Sequence, residues 1–360
     1  MAAVTPINQG LLTQTREAIV RGLRWLRQHD AEIAQIQDLS AHYKAPYLYA
    51  AVGDPVLAGR YARRIGLQFL QPDGDFRTGP ADKGWSHLPC SPANRYLYSN
   101  GWIIAGLRRL GYYGAAARGI DFVRRFQSIE LGGFASRFEP ATGHIERHYL
   151  DSSSTSSAGL ALLACGRVEE AARAGDFLLR LLDAQPHPDR FYYCSWETGA
   201  GLMTDVWGDE DPNSVRGRKQ FCLSAEADPR YELTWLIGKP MKLLARLYDQ
   251  TGSRKYLEGS TTLFDFFHKL GDERWHNYAS CKTMWASAEL YRHTGEPRFA
   301  ETAGRILSWF CESQLSGGLW VHYLWYRDER EQPLQAALDL VQELCAEMSD
   351  VVFDLSAAGV

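Results

Sequence analysis

The sequence predicts an all-α protein built as an (α/α)6 toroid, a ring of six helical hairpins with inner and outer helices. Three observations predict this fold: two kinds of helical segment alternate along the 360 residues, glycines separate them, and one hairpin is visibly repeated. The repeat relates 231–267 to 278–310, and each copy reads as an apolar helix, a Thr-Gly turn and an amphipathic helix. A hairpin that cannot bury its apolar face alone must stack on neighbours, and about six hairpins can close a ring.

The first kind of segment has the apolar periodicity of an amphipathic helix, with arginine and glutamate on one face. The predicted outer helices cover about 13–29, 54–70, 112–127, 167–184, 253–270 and 296–313. The second kind is apolar around most of its circumference, so we expect these helices to be largely buried. The predicted inner helices cover about 43–52, 94–110, 152–165, 230–251, 276–295 and 333–348. The glycines that end inner helices are Gly53, Gly111, Gly166, Gly252 and Gly295.

We expect a single toroid domain over 1–360, with a long loop insertion at 186–229. That insertion far exceeds the usual loop of about 4–6 residues, which indicates a functional segment. Alternation of residue types at 134–138 and 144–149 around a Pro-Ala-Thr-Gly turn predicts a small β-hairpin. An open α-solenoid is the structural alternative. A closed ring is preferred because the inner helices are apolar on more than one side and no polar capping repeat is obvious.

Composition narrows the possible partners. The net charge of −4 and the pI near 6.2 give no field that would attract nucleic acid or an acidic membrane. No window approaches a membrane-spanning length of apolar residues, and the first residues do not resemble a signal peptide, so we expect a cytoplasmic protein. The seven cysteines are scattered and fit neither a disulfide framework nor a metal motif. We expect a small-molecule substrate and neither metal nor cofactor; the oligomeric state stays open.

A phrase of glutamine, glycine and an aromatic residue follows three of the predicted outer helices. Gln314, Gly318 and Trp320 have the spacing Q-x-x-x-G-x-W; the phrase at Gln71–Phe76 is one residue shorter and that at Gln127–Phe134 one longer. These phrases resemble the QW repeats of squalene–hopene cyclases, and so the toroid superfamily of terpenoid cyclases and protein prenyltransferases. The resemblance implies the fold. The acidic D-x-D-D motif and the zinc-binding clusters of those enzymes have no counterpart in this sequence, and sugar epimerases and glycoside hydrolases share the fold.

In a closed toroid, the residues that precede the inner helices line the mouth of the ring, so we expect the site there. The candidate catalytic residues are Glu197, His148, Asp151, Asp205 and Glu232. Glu197 lies among aromatic residues that could keep it protonated as a general acid. His148 could move a proton with Asp151 orienting it, although a wall residue and a helix cap are the alternative interpretations. Glu232 precedes an inner helix, where it suits either the helix dipole or the lumen.

The candidate substrate-binding residues are aromatic or basic groups of the same mouth segments, which could stack on sugar rings or stabilise cations. They are Trp85, His87, Arg95, Tyr96, Trp196, Trp207, Trp235, His276 and Tyr278.

The main functional hypothesis is a metal-independent cyclase, isomerase or lyase that uses acid–base catalysis on a small, largely apolar, terpenoid- or polyketide-like metabolite. Aromatic inner helices and the lack of a metal motif suggest it. Two alternatives remain open. One is a carbohydrate-active enzyme, either a sugar epimerase or a glycoside hydrolase, and the other is a non-catalytic binding protein.

Overall fold

The computed structural model describes residues 9–84, 96–205, 222–323 and 325–359. Its helices alternate between an outer and an inner ring, as predicted. The outer helices are α1 (Gln9–Gln28), α4 (Pro55–Arg64, continued by one π-helical turn), α6 (Tyr113–Arg124), α8 (Val168–Asp183), α10 (Arg254–Lys269) and α12 (Pro297–Ser313). The inner helices are α3 (Ala45–Ala51), α5 (Tyr98–Arg109), α7 (Ser152–Ala164), α9 (Trp235–Thr251), α11 (Cys281–Thr294) and α13 (Leu334–Ala357). A short helix, α2 (Asp30–Gln35), joins α1 to α3.

The inner helices form a closed ring. Each packs on the next in chain order, and α13 packs on α3, which closes the circle. The first helix, α1, supports the last one by packing between α12 and α13. The closed toroid prediction is therefore confirmed over the open solenoid.

The two ends of the ring differ in their connections. Turns of two or three residues, such as 252–253 and 295–296, lead from inner to outer helices, and Gly252 and Gly295 occupy the left-handed conformation there. Much longer segments lead from outer helices back to inner ones, for example 184–234 and 314–333. Since all the inner helices begin at the same end, these long segments gather there. We call this end the mouth.

The glutamine–glycine–aromatic phrases are joints between neighbouring outer helices. Gln127 donates hydrogen bonds from Nε2 to the carbonyls of Gly132 (3.0 Å) and of Glu170 on α8 (2.9 Å). Gln314 does the same toward Gly318 (3.0 Å) and Ala18 on α1 (2.9 Å). Gly318 has a positive φ of 94°, and a Cβ there would lie 2.3 Å from a backbone oxygen of α1. Glycine is therefore required by both conformation and space.

Short strands build up the mouth. The predicted hairpin is present as β1 (Phe138–Glu139) and β2 (His144–Ile145). The long insertion differs from the predicted loop because its aromatic, alternating sequence favours strands. It contains β4 (Phe191–Tyr193), β5 (Ser195–Glu197) and β6 (Gly201–Leu202), and β4 pairs with β7 (Cys222–Ser224). In addition, β5 pairs with β3 (Tyr149–Asp151), which leads directly into α7.

The last inner helix is longer than predicted, since α13 runs to Ala357 rather than to about 348. The part of α13 beyond the predicted end contains Asp350 and Asp354. Both carboxylates point into ion pairs inside the ring, so they do not end the helix. None of the described helices is both long and apolar enough to cross a membrane.

Candidate functional site

A row of acidic side chains on α13 faces the inside of the ring. Its members are separated by three or four residues, which places them on one face of a helix. They are Asp339, Glu343, Glu347, Asp350 and Asp354. Their side chains are between 0% and 16% exposed. We call them the carboxylate stripe. These residues were not among those predicted from the sequence, although acidic residues that repeat at helical spacing on a predicted inner helix were a usable signal.

The part of the stripe nearest the mouth is held by two lysines and a tyrosine. Lys44 Nζ lies 2.6 Å from Glu343 Oε2 and 2.9 Å from Asp339 Oδ1. Lys282 contacts both Glu343 and Glu347, and the Tyr98 hydroxyl donates to Glu343 Oε1 at 2.6 Å. Burial opposes ionisation of Glu343, but Lys282 and Lys44 outweigh it and hold the pKa of Glu343 below its usual value. Burial raises the pKa of Glu347.

A cavity of about 50 Å³ lies in the lumen beside these groups. Its lining combines aromatic rings, small residues and two lysines. The lining residues are Tyr47, Tyr98, Gly101, Trp102, Ala105, Ser157, Leu160, Lys239, Lys282 and Trp285. The rings of Trp102 and Trp285 are stacked with their centres 6.3 Å apart. We call this space the lumen cavity.

Lys239 enters the lumen cavity from α9. Its Nζ donates a hydrogen bond to Ser153 Oγ at 3.1 Å. The same atom lies 4.0 Å from the centre of the Tyr98 ring and 4.7 Å from that of Trp235. Cation–π attraction therefore holds the ammonium group against two aromatic faces.

Below the lumen cavity, a second set of ion pairs fills the ring. Lys242 Nζ lies 2.5 Å from Glu289 Oε2 and 3.5 Å from Asp354 Oδ2. Arg246 contacts Glu289 at 2.8 Å, and Arg292 contacts Asp354 at 3.2 Å. We call these five residues the lumen floor. They lie toward the C-terminal ends of α9, α11 and α13, away from the mouth.

His322 lies in the segment that leads from α12 into α13. Its ring centre is 5.7 Å from that of Tyr278 and 6.0 Å from that of Trp325. Burial lowers the pKa of His322 to about 4, although Glu343 and Asp339 act in the opposite direction. Its Nδ1 is buried and has no hydrogen-bond partner among the described residues. His322 is thus a neutral imidazole at neutral pH. It was not among the residues predicted from the sequence.

Three of the predicted catalytic residues lie on one small sheet of the mouth or beside it. Asp151 caps α7: its carboxylate accepts from the backbone N–H of Ser154 at 2.7 Å and from the Ser154 hydroxyl at 2.8 Å. Burial raises the pKa of Asp151. Glu197 is half-buried on the neighbouring strand, opposite Tyr149. His148 precedes that sheet; it is 53% exposed, with Nε2 3.4 Å from Glu146.

The two other predicted catalytic residues lie apart from that sheet. Glu232 is fully buried, and its Oε2 accepts the backbone N–H of Ser224 at 3.2 Å. Asp205 is exposed.

Some of the predicted substrate-binding residues lie near the lumen cavity or His322, and others lie apart from them. Trp235 contacts Lys239 at the lumen cavity, and Tyr278 packs beside His322. Trp196 packs against Phe177 with ring centres 6.4 Å apart, and His276 lies at the surface, 3.3 Å from Glu273. Residues Trp85, His87, Arg95 and Trp207 lie outside the described residues.

Tyr96 belongs to a separate buried polar cluster around Asp75. The Tyr96 hydroxyl donates to Asp75 at 2.5 Å, and Lys83 and Asn100 each donate to Asp75 at 2.8 Å. Because Asn100 is on α5, this cluster fixes the segment 70–84 to an inner helix. The glutamine–glycine–aromatic phrase at Gln71–Phe76 is thus also part of an anchoring point.

One group of side chains has the composition of a metal site. Oxygen or sulfur atoms of Cys281, Glu343 and Glu347 lie within 4.8 Å of one another. However, the Lys282 ammonium contacts both carboxylates, and burial raises the pKa of the Cys281 thiol, which disfavours the thiolate that a metal needs. These residues fit an ion-pair network better than a metal. Cys281, like Cys165, Cys311 and Cys345, is a free thiol.

Comparisons with known proteins support the fold. No protein-family model and no curated protein sequence matches the chain. Among solved structures, the chain is similar to a D-mannose isomerase, with 12% identity, a TM-score of 0.63 and 86% of each chain covered. It is also similar to the cellobiose 2-epimerase from Bacillus thermoamylovorans B4167, with 12% identity, a TM-score of 0.56, and 87% of this chain and 89% of that chain covered.

A third solved structure with the same architecture is named as a hydrolase rather than as an isomerase or epimerase. It is a family 76 glycoside hydrolase, a mannosidase, from Bacteroides thetaiotaomicron VPI-5482, with 14% identity, a TM-score of 0.54, and 95% of this chain and 98% of that chain covered. At such low identity these similarities establish a shared toroid fold. They bear out the toroid that the QW-like phrases implied, and they give no support to terpenoid cyclases specifically.

Proposed function

We propose that this chain is a carbohydrate-active enzyme, a sugar isomerase or epimerase, whose site is the lumen cavity together with the adjoining mouth. The observation that carries the proposal is the composition of the cavity wall, where the aromatic residues Tyr98, Trp102 and Trp285 lie beside the side chains of Lys239 and Lys282. Sugar sites combine the same two elements, since aromatic rings stack on C–H faces while charged groups bind hydroxyls. The names of the D-mannose isomerase and the cellobiose 2-epimerase with the same fold support this proposal.

The chemistry of such a reaction is a proton transfer next to a carbonyl. A base removes the proton from the carbon beside the carbonyl of the open-chain sugar, and the electron pair moves onto the carbonyl oxygen to give an enediolate. Return of a proton to the neighbouring carbon, with transfer of the hydroxyl proton from one oxygen to the other, gives the isomer. Return of the proton to the opposite face of the same carbon gives the epimer. The protein must therefore supply a base, an acid and a positive group near the oxygen.

The described residues near the lumen supply these roles. We assign the base to His322, because its imidazole is neutral and its Nδ1 has no described partner. We assign stabilisation of the enediolate oxygen to Lys282, whose side chain lines the cavity and whose ammonium is fixed by Glu343 and Glu347. The proton-transfer roles predicted for His148, Asp151, Glu197, Asp205 and Glu232 stay predictions that the same assay tests.

Glycoside hydrolysis is less well supported by this site. Hydrolases place two carboxyl groups on opposite sides of the scissile bond, about 5–10 Å apart. The carboxylate stripe lies on one wall of the ring, and among the described lining residues of the cavity there is no aspartate or glutamate. A terpenoid-like substrate is also less well supported, since the solved structures with the same fold include a sugar isomerase and a sugar epimerase.

Proton exchange in D2O tests the proposal. A panel of aldoses and ketoses is incubated with the protein, and deuterium at the carbon next to the carbonyl is followed by NMR. We expect exchange and isomerisation with at least one sugar, and a loss of about a hundredfold or more in the His322→Asn variant. His187→Asn, which changes an exposed histidine outside the lumen, is the matched control. If no sugar exchanges deuterium with the unaltered protein, the proposal is wrong.

A further inference from the structure

We propose that the deep end of the lumen cavity binds a methyl group of the substrate, so that the substrate is a 6-deoxy sugar. Such a sugar has a methyl group where an ordinary hexose has a hydroxymethyl group. This inference deepens the proposed function and rests on it for the sugar and for the position of its carbonyl. The apolar subsite itself is argued from the cavity.

The first argument is the depth of the cavity. Its wall begins at the level of Glu343, which is contacted by the Tyr98 hydroxyl and by Lys282. It continues to the level of Asp350, which accepts a hydrogen bond from the Tyr47 hydroxyl at 2.6 Å. Asp350 follows Glu343 by two turns of α13, about 10 Å along the helix axis. The cavity therefore has an upper end toward the mouth and a deep end toward the lumen floor.

The second argument is that the lining becomes less polar with depth. Every inner helix begins at the mouth, so the position of a residue along its helix gives its depth. Tyr98 and Lys282 lie in the first turns of α5 and α11, and the Lys239 ammonium lies 4.0 Å from the centre of the Tyr98 ring. Ala105 and Leu160 line the cavity from positions farther along α5 and α7. Almost all of the surface that the cavity exposes belongs to carbon atoms, so a ligand group at the deep end meets an apolar wall.

The third argument is that polar atoms around the deep end are already engaged. The Tyr47 hydroxyl donates to Asp350 and accepts a hydrogen bond from Arg109 at 2.8 Å. Trp285 Nε1 donates to the same carboxylate at 3.1 Å. A hydroxyl group of the substrate would lose its hydrogen bonds to water there and would find these atoms already bonded. A methyl group has no such hydrogen bonds to lose, and its burial is favourable.

The fourth argument is the size of the space. One buried water needs about 10–15 Å³ of cavity volume, so a cavity of about 50 Å³ has room for a few groups of that size. The lumen floor lies directly below, since Lys242 Nζ is 4.4 Å from the centre of the Trp285 ring and donates to the Trp285 backbone carbonyl at 3.3 Å. The deep end therefore suits a methyl group better than a longer alkyl chain or a second sugar.

The direction of the bound sugar identifies the position of the methyl group. The proposed reaction places the carbonyl end of the sugar beside Lys282 and His322, on the mouth side of the cavity. C6 is at the other end of the carbon chain, so it points toward Ala105 and Leu160. An apolar pocket rejects an added hydroxyl by up to about a hundredfold. We therefore expect a 6-deoxy sugar to bind about ten- to a hundredfold tighter than the hexose that carries a hydroxyl at C6.

Calorimetric titration with matched pairs of sugars tests the inference, because the two members of each pair differ only in the C6 hydroxyl. The pairs are L-fucose with L-galactose, L-rhamnose with L-mannose, D-fucose with D-galactose, and 6-deoxy-D-glucose with D-glucose. In at least one pair, the 6-deoxy sugar should bind about ten- to a hundredfold tighter than its partner.

Two substitutions at the deep end should remove this preference by different routes. Ala105→Val fills part of the space and should weaken binding of the 6-deoxy sugar. Leu160→Asn keeps the size of the side chain and offers an amide to the C6 hydroxyl, so it should strengthen binding of the hexose. Ala117→Val and Leu67→Asn make the same changes at exposed positions of the outer ring and should leave the preference intact. Circular dichroism and thermal unfolding show whether each variant is folded.

The outcomes separate the two proposals. Equal affinity within every pair, tighter binding of the hexoses, or a preference that survives in a folded deep-end variant overturns the inference even if deuterium exchange is observed. A 6-deoxy preference that Ala105→Val or Leu160→Asn removes, without any deuterium exchange, would support the subsite and remove the isomerase. If no sugar of the panel binds, the inference is wrong, and the deuterium-exchange assay alone decides the proposed function.

Discussion

Lys239 and Lys242 lie three residues apart on α9, and both point into the ring, yet their surroundings differ. Lys242 lies between Glu289 and Asp354 in the lumen floor, where all three side chains are 2% exposed or less. Lys239 lies against aromatic rings beside the lumen cavity. One lysine of α9 thus joins the ion pairs that fill the ring, and the other lysine lines the lumen cavity.

The difference lies in what the facing helix presents. At the floor, Glu289 of α11 and Asp354 of α13 reach Lys242 directly. At the lumen cavity, α11 contributes Lys282, which forms ion pairs with Glu343 and Glu347. A buried ion pair adds little stability compared with an apolar pair of the same size, but it fixes a packing arrangement. Removing one partner is destabilising, because the other charge is then buried without compensation. We therefore expect the ion pairs of the lumen floor to stabilise the ring, whereas the lumen cavity leaves space for a ligand.

The largest effect is expected from Lys242→Met. The substitution leaves Glu289 and Asp354 in the ring interior without their shared lysine, although Arg246 and Arg292 remain. We expect a loss of about 3–5 kcal/mol in the free energy of unfolding, measured by denaturant titration. The exposed change Lys255→Met should cost less than about 0.5 kcal/mol. A loss below about 1 kcal/mol for Lys242→Met would remove the distinction between floor and cavity.

Lowering the pH should change the stability contributions of Glu289 in the lumen floor and of Glu347 near the lumen cavity in opposite directions. Burial disfavours the charge of Glu289, but Lys242 and Arg246 outweigh it and hold the pKa of Glu289 well below its usual value. Glu289 thus stabilises the fold above its unfolded pKa of about 4.5, and this contribution is lost as the pH falls. Glu347 has a raised pKa, so its contribution is present at low pH and is lost as the pH rises.

Unfolding titrations between pH 6 and 3 measure this contrast. In Glu289→Gln the loss of stability with acid should be smaller than in the unaltered protein by about 1–3 kcal/mol. In Glu347→Gln the loss should become steeper, because the opposing contribution has been removed. Equal slopes for the two variants would show that the two carboxylates do not differ in this way.

A smaller effect on stability is expected from Lys239→Met. Replacing a buried ammonium by an apolar side chain of similar length removes a desolvation cost along with its hydrogen bond to Ser153. We expect the free energy of unfolding to change by less than about 1 kcal/mol, in contrast to Lys242→Met. Chemical denaturation of both variants under one condition makes the comparison. A loss as large as that of Lys242→Met would mean that Lys239 also belongs to the structural network.

The same contrast explains what the sequence could predict. Alternating helix types, the glycines that end inner helices and the glutamine joints are local signals, and they predicted the ring and its closure. Trp235 and Tyr278 were selected because aromatic residues before or at the start of inner helices lie at the mouth, and their role in substrate binding stays a prediction. The lumen site itself depends on which face of each inner helix points inward. Lys239 and Lys282 line one cavity only after the inner helices have closed the ring. The spacing of these residues along the chain gives no sign of that contact.

The smallest effect is expected at the mouth surface, from His148→Asn. His148 is 53% exposed, and its contact with Glu146 is 3.4 Å long at a solvated site, so the pair adds about 0–0.5 kcal/mol to stability. Its predicted role in proton transfer is independent of stability, and the deuterium-exchange assay separates the two. A variant with unchanged stability but exchange reduced about a hundredfold would place the base at the mouth sheet rather than at His322. Unchanged exchange in His148→Asn, together with its loss in His322→Asn, would place proton transfer at the lumen, where the ammonium groups are.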